Sequence, residues 1–347
     1  MKIKIVPEGP LEWLALKLNL APTPLVDTHI SFTLARCIQA AAELGVFEAL
    51  GKQRRTAAEV ARICGTDPKA TENLLNALVG NGYLKWDGTA YSLRARYHKW
   101  LLKDSNSSLI GKLRFQNLEW EWVGRLEEYV RTGEPLDLHK MKGDKMWVDY
   151  QEAMRDLSVN AAGELGGRIP VPKGAQHMLE IGGSHGLTSI AVCRKNPGLK
   201  SRIMELPEAL ASAKAIGEQH DKEGVLEYVS GNALEDDLGE GLYDVVLMNN
   251  VAHHFSAEQN RSLAKRVARV LKPHGIYAIG ESIRKERPGE GGLIGAMAGI
   301  YFSLTSRSGS WSVKDIQDWQ KDAGLRPIKP LKAMTLPGFQ VVMGVKR

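Results

Sequence analysis

Cysteine is scarce, with only Cys37, Cys64 and Cys193 in 347 residues, no CxxC pair and no even framework. That excludes a disulfide scaffold and fits reduced, buried thiols in a reducing compartment. No apolar run approaches the ~18 residues needed to cross a bilayer. Met1–Lys4 is basic, but Glu8, Pro10, Glu12 and Lys17 rule out an apolar stretch behind it, so no signal peptide is expected and a cytosolic protein is. A basic stripe is also missing. The net charge is +6, yet Lys and Arg are scattered and the densest cluster, Lys52-Gln53-Arg54-Arg55, is short. Charge therefore gives little support to a nucleic-acid partner. The 35 glycines follow no G-X-Y period, which removes fibrous classes.

What is present is ordinary globular material, 43% hydrophobic and 25% charged, in a chain long enough for two domains. Residues 29–50 carry apolar positions at helical spacing and end at Gly51. Thr56 caps a short helix, AAEVARIC, and Asp67-Pro68 opens another. Asp87-Gly88, between two alternating runs, then signals a hairpin. Helix, helix and hairpin is the order of a winged helix. Its second helix offers Lys69, Glu72, Asn73 and Asn76, so packing or dimerisation is expected in preference to DNA reading. Residues 106–170 predict two or three long helices, one rich in aromatics and one running from about Lys145 to Arg168. Pro170-Val171-Pro172 marks a boundary.

Beyond residue 177 the pattern alternates. Strands are predicted at HMLEI, SRIME, LEYVS, YDVVLMN, GIYAIGES, RPIKPLKA and GFQVVMGVK, with helices between the first five and at 292–305 and 312–324. That is an α/β fold with a Rossmann-like, mostly parallel sheet. The short loop 334–338 makes the last two strands antiparallel. Domains are expected at 1–105, 106–170 (linker helices contributing to a substrate pocket) and 171–347.

Glu180-Ile181-Gly182-Gly183-Ser184-His185-Gly186 lies between the first strand of this sheet and a helix. Ile181 stands where a dinucleotide-binding loop would need its first glycine. Glu180 also suits a cationic ligand group rather than a pyrophosphate. Glu205 ends the second strand, where it can accept ribose hydroxyl protons. Gly231-Asn232-Ala233 follows the third and can meet an adenine edge.

With EIGGSHG, MELP, GNALED, YDVVLMNNVAHHF and LKPHGIYAIGE, the C-terminal half resembles a class I S-adenosylmethionine-dependent methyltransferase. AAELGVFEAL and TAAEVARICG are similar to the dimerisation domain of small-molecule O-methyltransferases, the group of plant caffeate and bacterial polyketide and phenazine enzymes. The resemblance spans residues 28 to 347 and leaves 1–27 as a candidate arm to a partner subunit. It implies S-adenosyl-L-methionine as methyl donor, S-adenosyl-L-homocysteine as product and a homodimer, with no nucleic acid, membrane or metal.

It further implies that Glu180, Gly182, Gly183, Gly186, Glu205, Leu206, Asn232, Ala233 and Asn249 bind the cofactor. Asn232 stands where the family usually has Asp. The general base falls on His253, with Glu281 orienting it, while the family's second orienting Glu would fall near Ser310 and is missing. A base is chemically required, because a neutral phenol with a pKa near 10 is a poor nucleophile and an imidazole, ordinarily near 6.5, can take its proton. The acceptor pocket is expected from Trp147, Tyr150, Met154, His254, Met297, Tyr301 and Phe302, which suit a flat aromatic compound. The missing Glu keeps open C- or N-methylation or a non-methylating use of the sulfonium. A DNA-binding ligand sensor is a more distant reading.

Overall fold

The computed structural model describes residues 5–136, 144–306 and 308–347, and the chain divides into two compact units, one running to Leu118 and the other beginning at Glu119. The basic start Met1–Lys4 lies outside the described residues.

In the first unit α1 (Pro10–Lys17), α2 (Thr23–Leu25) and a π turn (Val26–Ile30) precede α3 (Ser31–Glu43) and α4 (Val46–Leu50). The single helix expected over 29–50 is therefore broken. Gly45 adopts φ 76°, a left-handed conformation that ends α3 and turns the chain into α4. A capping box between Thr56 and Glu59 starts α5 (Ala57–Cys64), and Asp67 accepts Ala70 N–H at 2.7 Å to start α6 (Pro68–Gly80). The expected hairpin is β1 (Leu84–Trp86) with β2 (Tyr91–Leu93), its turn held by Asp87 Oδ1 accepting from Thr89 and Ala90 N–H. Phe47, Leu50, Leu75, Leu78 and Leu84 are fully buried among them. Cys37 and Cys64 are only half-buried; Cys193 is buried as expected.

After α7 (Ala95–Leu101), the division between the units falls within α8 (Ile110–Val123), which is followed by α9 (Leu126–Thr132) and the long α10 (Asp144–Gly166). The second unit then alternates β3 (His177–Ile181), α11 (Leu187–Lys195), β4 (Lys200–Glu205), α12 (Pro207–His220), β5 (Leu226–Ser230) and β6 (Tyr243–Asn249). A 3-10 turn (Ala252–His254), α13 (Ala257–Val270), β7 (Leu271–Ser282), α14 (Gly292–Thr305), α15 (Val313–Asp322), β8 (Leu325–Lys332) and β9 (Phe339–Lys346) complete it.

The strands order as β5-β4-β3-β6-β7-β9-β8. β9 runs antiparallel to both β7 and the edge strand β8, between which it is inserted. The helix expected between β5 and β6 does not form; Asn232 and Asp236 instead accept nearby backbone N–H groups and hold turns. Both faces of the sheet are covered. Leu263, Val267, Ile316 and Trp319 pack on one, and Ala161, Leu165, Val192 and Leu199 on the other. This explains why β6 reads as a nearly continuous apolar run. Between β3 and β6 the strand order reverses, and such a reversal opens a crevice at the strands' carboxyl ends. No helix among the described residues is long and apolar enough to cross a membrane.

The helix α10 reaches α11 because Gly166 has no side chain: a Cβ there would lie 2.5 Å from Ala191 Cβ and 2.6 Å from its carbonyl carbon. Backbone cannot yield as a side chain can, so Gly166→Ala is expected to cost about 2 kcal/mol. Thermal unfolding should show a midpoint lower by roughly 4–8 °C; an unchanged midpoint would refute this contact.

Candidate active site

The crevice is lined by residues at the ends of four adjacent strands. Glu180, in β3, is 3% exposed. Its carboxylate accepts the Ser189 hydroxyl at 2.5 Å and the Asn249 amide at 3.3 Å, and Ser189 lies 2.8 Å from the Ser201 hydroxyl. Burial pushes its pKa up to about 7, against the pull of the Ser189 and Asn249 hydrogen bonds, with the nearby Glu205 adding to the rise. Glu205, ending β4, accepts Ser184 N–H at 2.9 Å and Leu206 N–H at 3.0 Å, one on each oxygen. Burial raises its pKa as well, and the two backbone donors oppose it.

Between them the loop turns on Gly182 (φ 62°) and Gly186 (φ 68°), with Ser184 also left-handed at φ 53°. A Cβ on Gly183 would lie 2.8 Å from Glu180 Cγ, so that glycine is demanded by the packing of the loop on its own acid. Asn249, ending β6, has room for its side chain because Gly280 faces it; a Cβ on Gly280 would come 2.1 Å from Asn249 Oδ1. That Oδ1 is buried and has no hydrogen-bond partner. A buried acceptor without a donor is costly and calls for a ligand that supplies one. Past β5, Asn232 Oδ1 accepts Leu234 N–H at 3.0 Å, and the Ala233 carbonyl accepts Arg266 Nη1 at 2.6 Å.

Next along the sheet stands His253, 4% exposed, in the turn after β6. Its Nδ1 lies 3.0 Å from Glu281 Oε2 and 3.2 Å from Oε1, and its backbone N–H donates to Glu281 Oε1 at 3.3 Å. Glu281, near the end of β7, is 1% exposed. Beside them His254 Nδ1 is 3.2 Å from the Ser306 hydroxyl. The Phe302 and His254 rings lie 4.3 and 4.2 Å from that of His253. Ser310, half-buried, does not reach His253 in any hydrogen bond. The turn is fixed instead by Ala252 O, which accepts Trp311 Nε1 at 2.8 Å and Asn260 Nδ2 at 2.9 Å.

Of the residues expected around the acceptor, Trp147 is buried on α10, with Tyr150 5.7 Å away edge-on. Tyr150, Met154, Tyr301 and Phe302 are half-buried. Met297 is not gathered with them, being 54% exposed on α14. Burial pushes the Tyr150 phenol up to about 12, Glu205 and Glu119 adding to it. Sequence reading missed Glu119, 8% exposed, which accepts the Tyr301 hydroxyl at 2.5 Å. It also missed Gln151 and Ser184, joined by a side-chain hydrogen bond, together with Gly280, Trp311 and Asn260. The pairing of Glu with Tyr across 182 residues of chain has no local signal.

Comparison with known proteins places the chain in a family. A family model described as the O-methyltransferase domain matches residues 148–326, and one described as the O-methyltransferase dimerisation domain matches 27–101. The chain belongs to the O-methyltransferase family. Among its relatives is the 3-hydroxy-5-methyl-1-naphthoate 3-O-methyltransferase of Streptomyces sahachiroi, 24% identical over 94% of this chain and 95% of that one. Another is the mitomycin biosynthesis 6-O-methyltransferase of Streptomyces lavendulae, 27% identical over 73% and 75%. The fold of human N-acetylserotonin methyltransferase, solved with S-adenosylmethionine, superposes with a TM-score of 0.83 at 19% identity, covering 99% of each chain. The sequence expectation of a methyltransferase sheet with an antiparallel strand is met in this methyltransferase.

The raised pKa of Glu180 fixes a sign. Folding favours its protonated form, so that stabilisation is fully present below its ordinary value near 4.5 and is lost as pH rises through about 7. Glu180→Gln should therefore flatten the fall in stability of the ligand-free methyltransferase over that interval. Chemical denaturation at a series of pH values reads it, and an equal slope in both proteins would contradict the assignment.

Proposed function

We propose that this enzyme transfers a methyl group from S-adenosylmethionine to a hydroxyl on a small aromatic secondary metabolite, with His253 as general base. The buried contact between His253 and Glu281, 3.0 Å long, is the observation that carries this reading. A carboxylate on Nδ1 fixes the tautomer in which Nε2 carries the lone pair, and Nε2 is then the atom that takes the hydroxyl's proton. The resulting imidazolium stays paired with Glu281.

S-adenosylmethionine supplies a methyl carbon on a positively charged sulfur. Glu205 suits its ribose: each carboxylate oxygen has accepted one backbone N–H and keeps a lone pair for a hydroxyl donor. Glu180 and the unpaired Asn249 Oδ1 suit the ammonium end beside Gly182, Gly183 and Gly186. Asn232 has spent its Oδ1 on Leu234, so its amide nitrogen is the group left for the adenine, near Leu206 and Ala233. Trp147, Tyr150, Met154, His254, Tyr301 and Phe302 form an apolar wall for a flat acceptor. The relatives' names, one for a hydroxynaphthoate and one for mitomycin biosynthesis, support an aromatic acceptor. The orienting carboxylate on His253 favours O-methylation over transfer to carbon or nitrogen.

The match to a dimerisation domain, and the exposed Ile30 and Phe32 within it, support a homodimer. Sedimentation should give twice the chain mass, and Ile30→Asp with Phe32→Asp should return the monomer; a wild-type monomer would end that reading. A cytosolic location is part of the proposal.

Calorimetric titration with S-adenosylhomocysteine tests the cofactor site, and labelled methyl transfer to a panel of phenols tests the reaction. Glu205→Ala should weaken binding about 10- to 100-fold by removing two charged hydrogen bonds. His253→Ala should leave that binding intact and lower methyl transfer about 10²- to 10⁴-fold. Undiminished turnover by His253→Ala would exclude it as the base.

A further inference from the structure

Ser184 is an anomaly in the cofactor loop. It holds φ 53°, a conformation that strains any residue with a Cβ, in a loop whose other left-handed positions, Gly182 and Gly186, are glycine. Something must hold a serine there. Its hydroxyl donates to Gln151 Oε1, and Gln151, on α10, is 1% exposed. Its backbone N–H donates to Glu205 Oε2 at 2.9 Å. The next residue, His185, is 3% exposed, and its Nδ1 accepts Leu187 N–H at 3.4 Å at the start of α11. The loop is thus tied to α10 through Ser184, and the same helix carries Trp147 and Tyr150.

We infer that Gln151 is a positioning residue: through the Ser184 hydroxyl it sets the backbone N–H that orients Glu205, and so ties the helix bearing acceptor residues to the loop that holds the methyl donor. The inference rests on the proposed cofactor site. The hydroxyl has a second purpose beyond packing, since the same residue presents its N–H to the ribose acid. Without the bond to Gln151, Ser184 can relax out of the left-handed region and carry its N–H away from Glu205. One of the two donors that oppose the raised pKa of Glu205 is then lost. The carboxylate is left with Leu206 alone, free to rotate off the direction a ribose diol needs. Neither Gln151 nor Ser184 has to touch the ligand for this to act.

Calorimetry with S-adenosylhomocysteine tests the inference without any acceptor. Gln151→Met, which fills the same space without an acceptor oxygen, should weaken binding about tenfold, the worth of one buried hydrogen bond. Ser184→Ala should do the same, and the double variant should be no weaker than either single one, because both remove one linkage. Ser184→Gly separates tether from strain. It relieves the unfavourable φ, so a merely conformational role predicts binding equal to or tighter than wild type, whereas the tether predicts a loss like that of Ser184→Ala. Gln151→Glu restores an acceptor oxygen and should recover most of the affinity lost in Gln151→Met. Additive losses, or unaltered binding in Gln151→Met, would overturn the inference while leaving the cofactor site intact. A wild-type protein that is folded but binds no S-adenosylhomocysteine would instead remove the cofactor reading on which it rests.

Discussion

Two carboxyl groups, the buried Glu180 and the half-buried Glu205, stand at the carboxyl ends of adjacent parallel strands, and no cation among the described residues pairs with either. Burying a charge without a counter-charge is expensive, and it is sustained here by hydroxyl, amide and backbone donors alone. The surrounding architecture follows from that constraint. A parallel sheet with both faces covered gives the dry crevice, the reversal of strand order opens it between β3 and β6, and the glycines let the loop close on its own acid. The unpaired Asn249 oxygen adds a third acceptor at the same place. A site made of acceptors is complementary to a ligand made of donors and positive charge.

His253, the proposed base, sits one strand further along and is held differently. Glu281 grips both the ring and the backbone N–H of His253, so the side chain and the turn that carries it are fixed by one carboxylate. Near Ser310, where the resemblance puts a second acid that this chain lacks, the adjacent Trp311 acts on the backbone: its indole and the Asn260 amide both donate to Ala252 O. Trp311 also lies edge-on to the buried Trp319, 5.0 Å away, which ties the turn to the core of the sheet. The imidazole is therefore oriented by one carboxylate and a rigid turn. Removing the second acid leaves the local charge at the base smaller without loosening its position.

How much of this was legible depends on whether the determining interaction is local. The β/α alternation, the hairpin at Asp87-Gly88 and the caps at Thr56 and Asp67 were readable, because each is fixed by side chains within a few residues of the backbone they hold. The break at Gly45 was not, since the apolar spacing runs on through it and only the backbone angle reveals the turn. The missing helix between β5 and β6 failed for a related reason: Asn232 and Asp236 captured the backbone donors a helix would have needed. The strand-end residues could be placed from motif and spacing. Gln151 and Glu119 could not, because their partners lie 33 and 182 residues away and no pattern in either segment points to the other.

The separation of the two acids from the base has a consequence for the proposed reaction. Carboxylates near a cationic donor stabilise it before the methyl group moves, and that charge is dispersed as the bond to sulfur breaks. Interactions stronger in the ground state than in the transition state support binding and cannot accelerate the step. Glu180 and Glu205 are thus suited to holding the cofactor, and the rate has to come from elsewhere. The remaining sources are the proton taken at His253 and the alignment of acceptor oxygen with the methyl carbon inside an apolar wall. In the proposed reaction alignment depends on two pieces of protein keeping register: the loop after β3, assigned to the donor, and α10 with α14, assigned to the acceptor. A link between α10 and that loop, through Gln151 and Ser184, therefore falls where an error of position would be most costly to methyl transfer.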